Sequence, residues 1–103
     1  SNAISLLDSV NEEKRDIWWK YTYSKVLSLS QENPKALELI SECINEATYS
    51  KDTFYRERAN IRIRAGECPC EDLNIAYKYC EDEKFRNMIL EEIKQNECQN
   101  APL

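Results

Sequence analysis

Five cysteines, Cys43, Cys68, Cys70, Cys80 and Cys98, are the most chemically versatile residues of this 103-residue chain. A thiol can ligate a metal, exchange with a disulfide or form a crosslink, and spacing separates the three. Cys68-Pro69-Cys70 leaves one residue between its thiols, whereas structural zinc sites pair cysteines two to four residues apart and thiol oxidoreductases use two. Neither a metal centre nor redox catalysis is therefore expected. A crosslink is the better reading: one of Cys68 or Cys70 joined to Cys43, Cys80 or Cys98 would clamp a turn, an effect of roughly 2–4 kcal/mol. The odd count fits two bridges and a free thiol, and it also fits five reduced thiols packed as small hydrophobes. Cysteine usage this high favours a periplasmic or secreted setting over a cytoplasmic one.

Other catalytic chemistry has little to work with. The chain has no histidine and a single glycine, so it lacks a proton shuttle near neutral pH and a glycine-rich phosphate loop. No serine stands in a nucleophile elbow. The paired carboxylates Glu12-Glu13, Glu81-Asp82-Glu83 and Glu91-Glu92 lie in charge-rich stretches that read as solvated helix ends. The expectation is a non-enzymatic protein without a cofactor.

Binding chemistry is better represented. Arg56, Asn60 and Arg64 fall at i, i+4 and i+8, along one side of a helix. Arginine grips a carboxylate through paired hydrogen bonds and asparagine reads a peptide backbone, so the stripe suits an acidic peptide or a C-terminal carboxylate. The first long helical segment adds Lys20 as a fourth candidate, along with Lys25. The same arginines also have Glu57 and Glu67 within reach as surface ion-pair partners. A net charge of −5 argues against nucleic acid, whose affinity for protein comes from concentrated Lys and Arg.

The elements that must position these residues are helical. One glycine, three prolines and 32% charged residues suit short connections in a single all-α domain burying about 60–65% of its unfolded surface. No apolar run approaches the ~20 residues of a membrane span. Ser1-Asn2-Ala3 has the form of a tag-cleavage scar, after which a leader or anchor could have been lost, and 4–95 is read as the domain with 96–103 as a polar, fraying tail.

About five helices are expected, arranged as antiparallel hairpins with a C-terminal capping helix. Ser9-Val10-Asn11-Glu12 has the capping-box form and opens the first, which carries Ile17, Trp18, Trp19, Tyr21, Tyr23, Val26, Leu27 and Leu29 on a face broad enough to be packed on more than one side. Asn33 as N-cap and Pro34 at the first helical position start the second, with Leu37, Ile40, Ile44 and Ala47 at core spacing. Asp52 caps a third helix over Thr53 to Ala65, ended by Gly66. A fourth carries Leu73, Ala76, Tyr77 and Cys80, and a fifth Phe85, Met88, Ile89 and Ile93.

Trp18–Ala47 and Tyr55–Glu83 repeat the same plan, with Cys43 and Cys80 in corresponding places. A period in the mid-thirties built of paired helices is the mark of a stacked helical array. The stretch from Tyr55 to Glu67 resembles the first helix of a tetratricopeptide repeat, with Ala59 and Gly66 at that family's small-residue and glycine positions. Leu73, Tyr77 and Cys80 then match its second helix, allowing a two-residue insertion at Pro69-Cys70. In the first unit Ser24, Ala36, Ile40 and Cys43 take comparable places, but Gln31 stands near the expected glycine. The resemblance covers about two units, and it implies a groove lined by the first helix of each pair, where Arg56, Asn60 and Arg64 fall.

Three functions follow as expectations. The first is a protein-interaction module for a protein or acidic-peptide partner. The second is a small acidic inhibitor or immunity-type protein directed at an exported toxin or hydrolase. The third is a structural homo-dimer or larger homo-oligomer that covers the broad face of the first long helix.

Overall fold

A computed structural model of the protein describes residues 2–98, the side chain of Asn2 excepted. Among the described residues there are six α-helices, packed in sequence as antiparallel neighbours, and no strand. They are α1 (Asn2–Asp8), α2 (Ile17–Leu29), α3 (Asn33–Glu46), α4 (Lys51–Arg64), α5 (Cys70–Tyr79) and α6 (Glu83–Gln95), with a single 3₁₀ turn at Glu12–Lys14.

The first long helix does not start at Ser9. Ser9 Oγ donates to the Leu6 carbonyl at 2.7 Å, so this serine closes a short helix instead of opening a long one. Asp16 takes the N-cap role, its carboxylate accepting from the Trp19 N–H at 2.9 Å. The i to i+3 geometry serves either residue, and Asp16 wins because the apolar run begins directly after it. The extra helix α1 docks on α2: Trp19 Nε1–H donates to the Leu7 carbonyl at 3.0 Å, and the Tyr23 hydroxyl donates to Asp8. Arg15 reaches back to the Asp8 and Val10 carbonyls, neutralising acceptors that the end of α1 leaves open.

Two other expected caps differ. Asn33 lies inside α3 with its side-chain oxygen taken by Ser28 Oγ, while Pro34 sits in the first turn as expected. Asp52 lies in the first turn of α4, and Ser50 precedes that helix in the left-handed region at φ 58°. Gly66 ends α4 at φ 77°, as a glycine after a helix does. Gln31, where the first unit lacks the glycine, has φ 67°. The backbone there makes the same left-handed turn without the residue that makes it easily.

Two apolar clusters form the interior, and α4 belongs to both. Leu27, Ala36, Ile40, Cys43, Ile44, Ala47, Phe54 and Ile61 join α2, α3 and α4. Ala59, Leu73, Ala76, Cys80, Ile89 and Ile93 join α4, α5 and α6. This is why α4 has apolar residues on two edges: Phe54 and Ile61 face the first cluster, Ala59 the second. The shared helix makes the two clusters one unit.

Two crosslinks reinforce the second half. A disulfide joins Cys70, at the start of α5, to Cys98, after α6, so the polar stretch expected to fray is pinned as far as Cys98. Residues 99–103, the remainder of that stretch, lie outside the described residues. Asp72, fully buried, receives paired hydrogen bonds from Arg58 at 3.0 and 2.9 Å and an ion pair from Arg62 at 3.0 Å. Arg58 also donates to Ser41 on α3, so one guanidinium binds three helices together.

Candidate functional site

The face built from α2, α4 and α6 carries a set of charged side chains linked across helices. At its centre is Glu57. Phe54, Glu57, Ile61 and Arg64 follow one another at helical spacing, and the apolar members at 54 and 61 turn this side of α4 inward. Glu57 is carried with them and is 3% exposed. Its carboxylate lies 3.7 Å from Lys25 Nζ on α2 and 3.6 Å from Arg64 on α4. Both are ion-pair distances beyond hydrogen-bond length, and Oε2 has no hydrogen-bond partner. Burial above all, opposed by Lys25, Arg64 and Arg56, raises the Glu57 carboxyl above its ordinary 4.5.

The flanking cations stay partly in solvent. Lys25 and Arg64 side chains are 42% and 35% exposed. Lys25 donates to the Tyr21 hydroxyl at 3.0 Å and sits over that ring; chiefly this bond, with Glu57 adding, raises its pKa despite burial. Arg64 donates to Ser28 Oγ at 3.3 Å, and Ser28 in turn donates to Asn33. Beside them Asn60 is half-buried, and its amide takes no hydrogen bond from the described residues.

Of the four residues expected to bind, the structure brings Asn60 and Arg64 to this face beside Lys25. Arg56 turns toward α6, where it makes paired 2.8 Å hydrogen bonds with Glu92 and lies over the Phe85 ring. Lys20 points to α3, bonded to Glu46 at 2.5 Å and paired with Glu42 at 3.4 Å. The α2 cation at the face is therefore Lys25. Glu92 was not legible as part of it, and Glu57, expected as a surface partner of the arginines, pairs with Arg64 from a buried position. For Glu57 a signal existed, a charged residue on the apolar stripe of α4, but the flanking Arg56 and Arg58 make that segment look like a solvated surface. Counting the groups together, Lys25, Arg56 and Arg64 meet Glu57 and Glu92, an excess of positive charge on a chain of net charge −5.

The aromatic residues of α2 stand at one end of the same helix. Trp18, 37% exposed, packs on Tyr21 and Phe54. Away from this face, a cleft of about 530 Å³ lies where the α3–α4 and α5–α6 connections meet, lined by Tyr49, Asp52, Tyr79, Glu81 and Asp82 among others. Tyr49 and Tyr79 are exposed there, and Lys51 lies over the Tyr79 ring.

The other cysteines separate by environment. Cys43 and Cys80 are buried and free, and Cys68 is exposed and free. Burial raises the Cys43 thiol to about 12, and the thiol donates weakly to the Ile17 carbonyl at 3.6 Å.

Fold and face together define a small all-helical domain of stacked helices, in which no described helix is long and apolar enough to cross a membrane. No family model, no curated protein and no solved structure matches the chain.

Proposed function

We propose that this protein is a non-enzymatic interaction module that binds an acidic peptide segment or carboxylate terminus on the α2/α4/α6 face. One observation carries the reading: Lys25 and Arg64, from two helices, converge on the same buried carboxylate while remaining partly exposed. A cation already held in place loses less rotamer freedom when it meets a ligand carboxylate. The unbonded Asn60 amide beside them supplies a peptide reader, and Trp18 supplies an aromatic of the kind that anchors interfaces.

The helix order supports the tetratricopeptide-like interpretation. The α2–α3 and α4–α5 hairpins are followed by α6, α2 touches α4, and Gln31 and Gly66 share a left-handed backbone at matching turns. The Cys70–Cys98 bridge supports an oxidising compartment.

The test is fluorescence anisotropy of a dye-labelled hexaglutamate peptide against the wild-type protein and the Lys25→Glu and Arg64→Glu variants at low salt. Saturable binding is expected, weakened at least tenfold by either reversal and by added salt. Binding unaffected by both substitutions rejects this face.

A second reading, capture of a basic partner by an acidic inhibitor-type protein, draws on the cleft of Tyr49 and Tyr79, where Asp52, Glu81 and Asp82 outnumber Lys51. A hexalysine peptide in the same assay separates the two.

A further inference from the structure

We infer that carboxylate binding at this face is coupled to the uptake of one proton by Glu57, so that the buried side chain meets its ligand as a neutral acid. This inference rests on the reading above and adds the state of the residue at its centre.

The geometry leaves Glu57 poorly served. It is 3% exposed, its Oε2 accepts no hydrogen bond, and its two closest cations stand at 3.6 and 3.7 Å. A buried carboxylate normally receives several donors; here Oε2 has none at hydrogen-bond length. The charged and titratable groups that face it are Lys25 from α2, with Tyr21 behind, and Arg64 and Arg56 from α4, the last bound to Glu92 of α6.

A ligand carboxylate that engages Lys25 and Arg64 where they stand shares the positive charge that favours ionised Glu57. It also brings a second negative charge beside Oε2, and two carboxylates sharing a buried site do not both stay ionised. One proton, taken from the buffer, resolves both conflicts: the neutral carboxyl of Glu57 gains an O–H that donates, and the repulsion disappears. Burial already favours the protonated form in the free protein.

The consequence is a pH dependence opposite to that of ionisation in the ligand. Above the raised pKa of Glu57, binding that consumes one proton weakens about tenfold per pH unit. Glu57→Gln, isosteric with the protonated acid, binds more tightly at pH 8 and loses the slope.

The experiment is an NMR titration between pH 6 and 8 of the wild-type protein and Glu57→Gln with two probes. One is N-acetyl-hexaglutamate amide, which offers side-chain carboxylates only. The other is N-acetyl-tetraglycyl-alanine with a free C-terminus. The expected result is a wild-type affinity for at least one probe that falls toward tenfold per unit, and a flat profile in the variant. The probe that shows it identifies which kind of carboxylate is taken. Wild-type binding independent of pH overturns the inference while leaving the binding face intact, and so does an equal slope in Glu57→Gln. Failure of both probes to bind at any pH overturns the inference and the reading beneath it together. The wild-type profile alone decides should the variant fold poorly.

Discussion

Glu57 and Cys43 show how burial sets the chemistry of single residues. Because the folded state raises the Glu57 carboxyl above 4.5, the native protein binds that proton more tightly than the unfolded chain does. Its contribution to stability is therefore fully present below pH 4.5 and is lost as pH rises through the raised folded value. Glu57→Gln removes this dependence. Thermal unfolding from pH 4 to 8 should show wild type and variant closest at the acid end, with the variant gaining relative to wild type across that interval; a difference constant with pH contradicts the assignment. The thiols give a second prediction. Cys43 at about 12 and buried, Cys80 buried, and Cys70 and Cys98 bonded leave Cys68 as the exposed thiol. Since the thiolate is the reacting form, intact mass after alkylation of the native protein should show one label, and three after unfolding without reductant. Five labels without reductant would contradict the bridge.

At the scale of elements, α4 is the helix on which the others depend. It borders both apolar clusters, and on its α5 side Arg58 and Arg62 neutralise the fully buried Asp72. Removing one partner of a buried ion pair leaves the other desolvated without full compensation, which typically costs about 3–5 kcal/mol. Arg58→Ala should lose about 3 kcal/mol in denaturant unfolding, tempered by the remaining Arg62 pair, whereas Lys35→Ala, whose 3.5 Å pair with Glu32 is exposed, should change stability by less than about 0.5 kcal/mol. Equal effects would mean that the buried network contributes nothing special. The helices themselves were largely legible: the spacings of Leu37, Ile40 and Ile44, the proline at 34 and the glycine at 66 all mark real boundaries. What escaped was the choice among competing caps. Ser9, Asn33 and Asp52 each have a capping side chain, yet Ser9 bonds back to the Leu6 carbonyl, Asn33 accepts from Ser28, and Asp52 falls inside the first turn of α4. The short α1 escaped as well, since its packing on Trp19 and Tyr23 depends on contacts that no local pattern records. Asp72 sits in the apolar series of α5 as Glu57 does in that of α4. A charge at a core position was the one local sign of both networks, and neighbouring charges masked it.

For the whole molecule, the charge distribution matters more than the total. With a net charge of −5, attraction of an acidic segment to the Lys25–Arg64 pair must work against the overall field. Binding is then expected to be specific to that face and modest in strength. The sequence could supply the Arg-Asn-Arg stripe, but it could not show that Arg56 is consumed by Glu92 or that Lys25 replaces Lys20, because both outcomes are set by how α2, α3 and α6 pack around α4.

The most direct test of the binding face is residue-resolved mapping: amide and side-chain NMR shifts of the isotope-labelled protein on titration with N-acetyl-hexaglutamate amide. The expected result is a contiguous set of shifts centred on Lys25, Glu57, Asn60 and Arg64. Shifts centred instead on Tyr49, Tyr79 and Glu81, or no saturable shifts at all, would contradict an acidic-segment module on the α2/α4/α6 face.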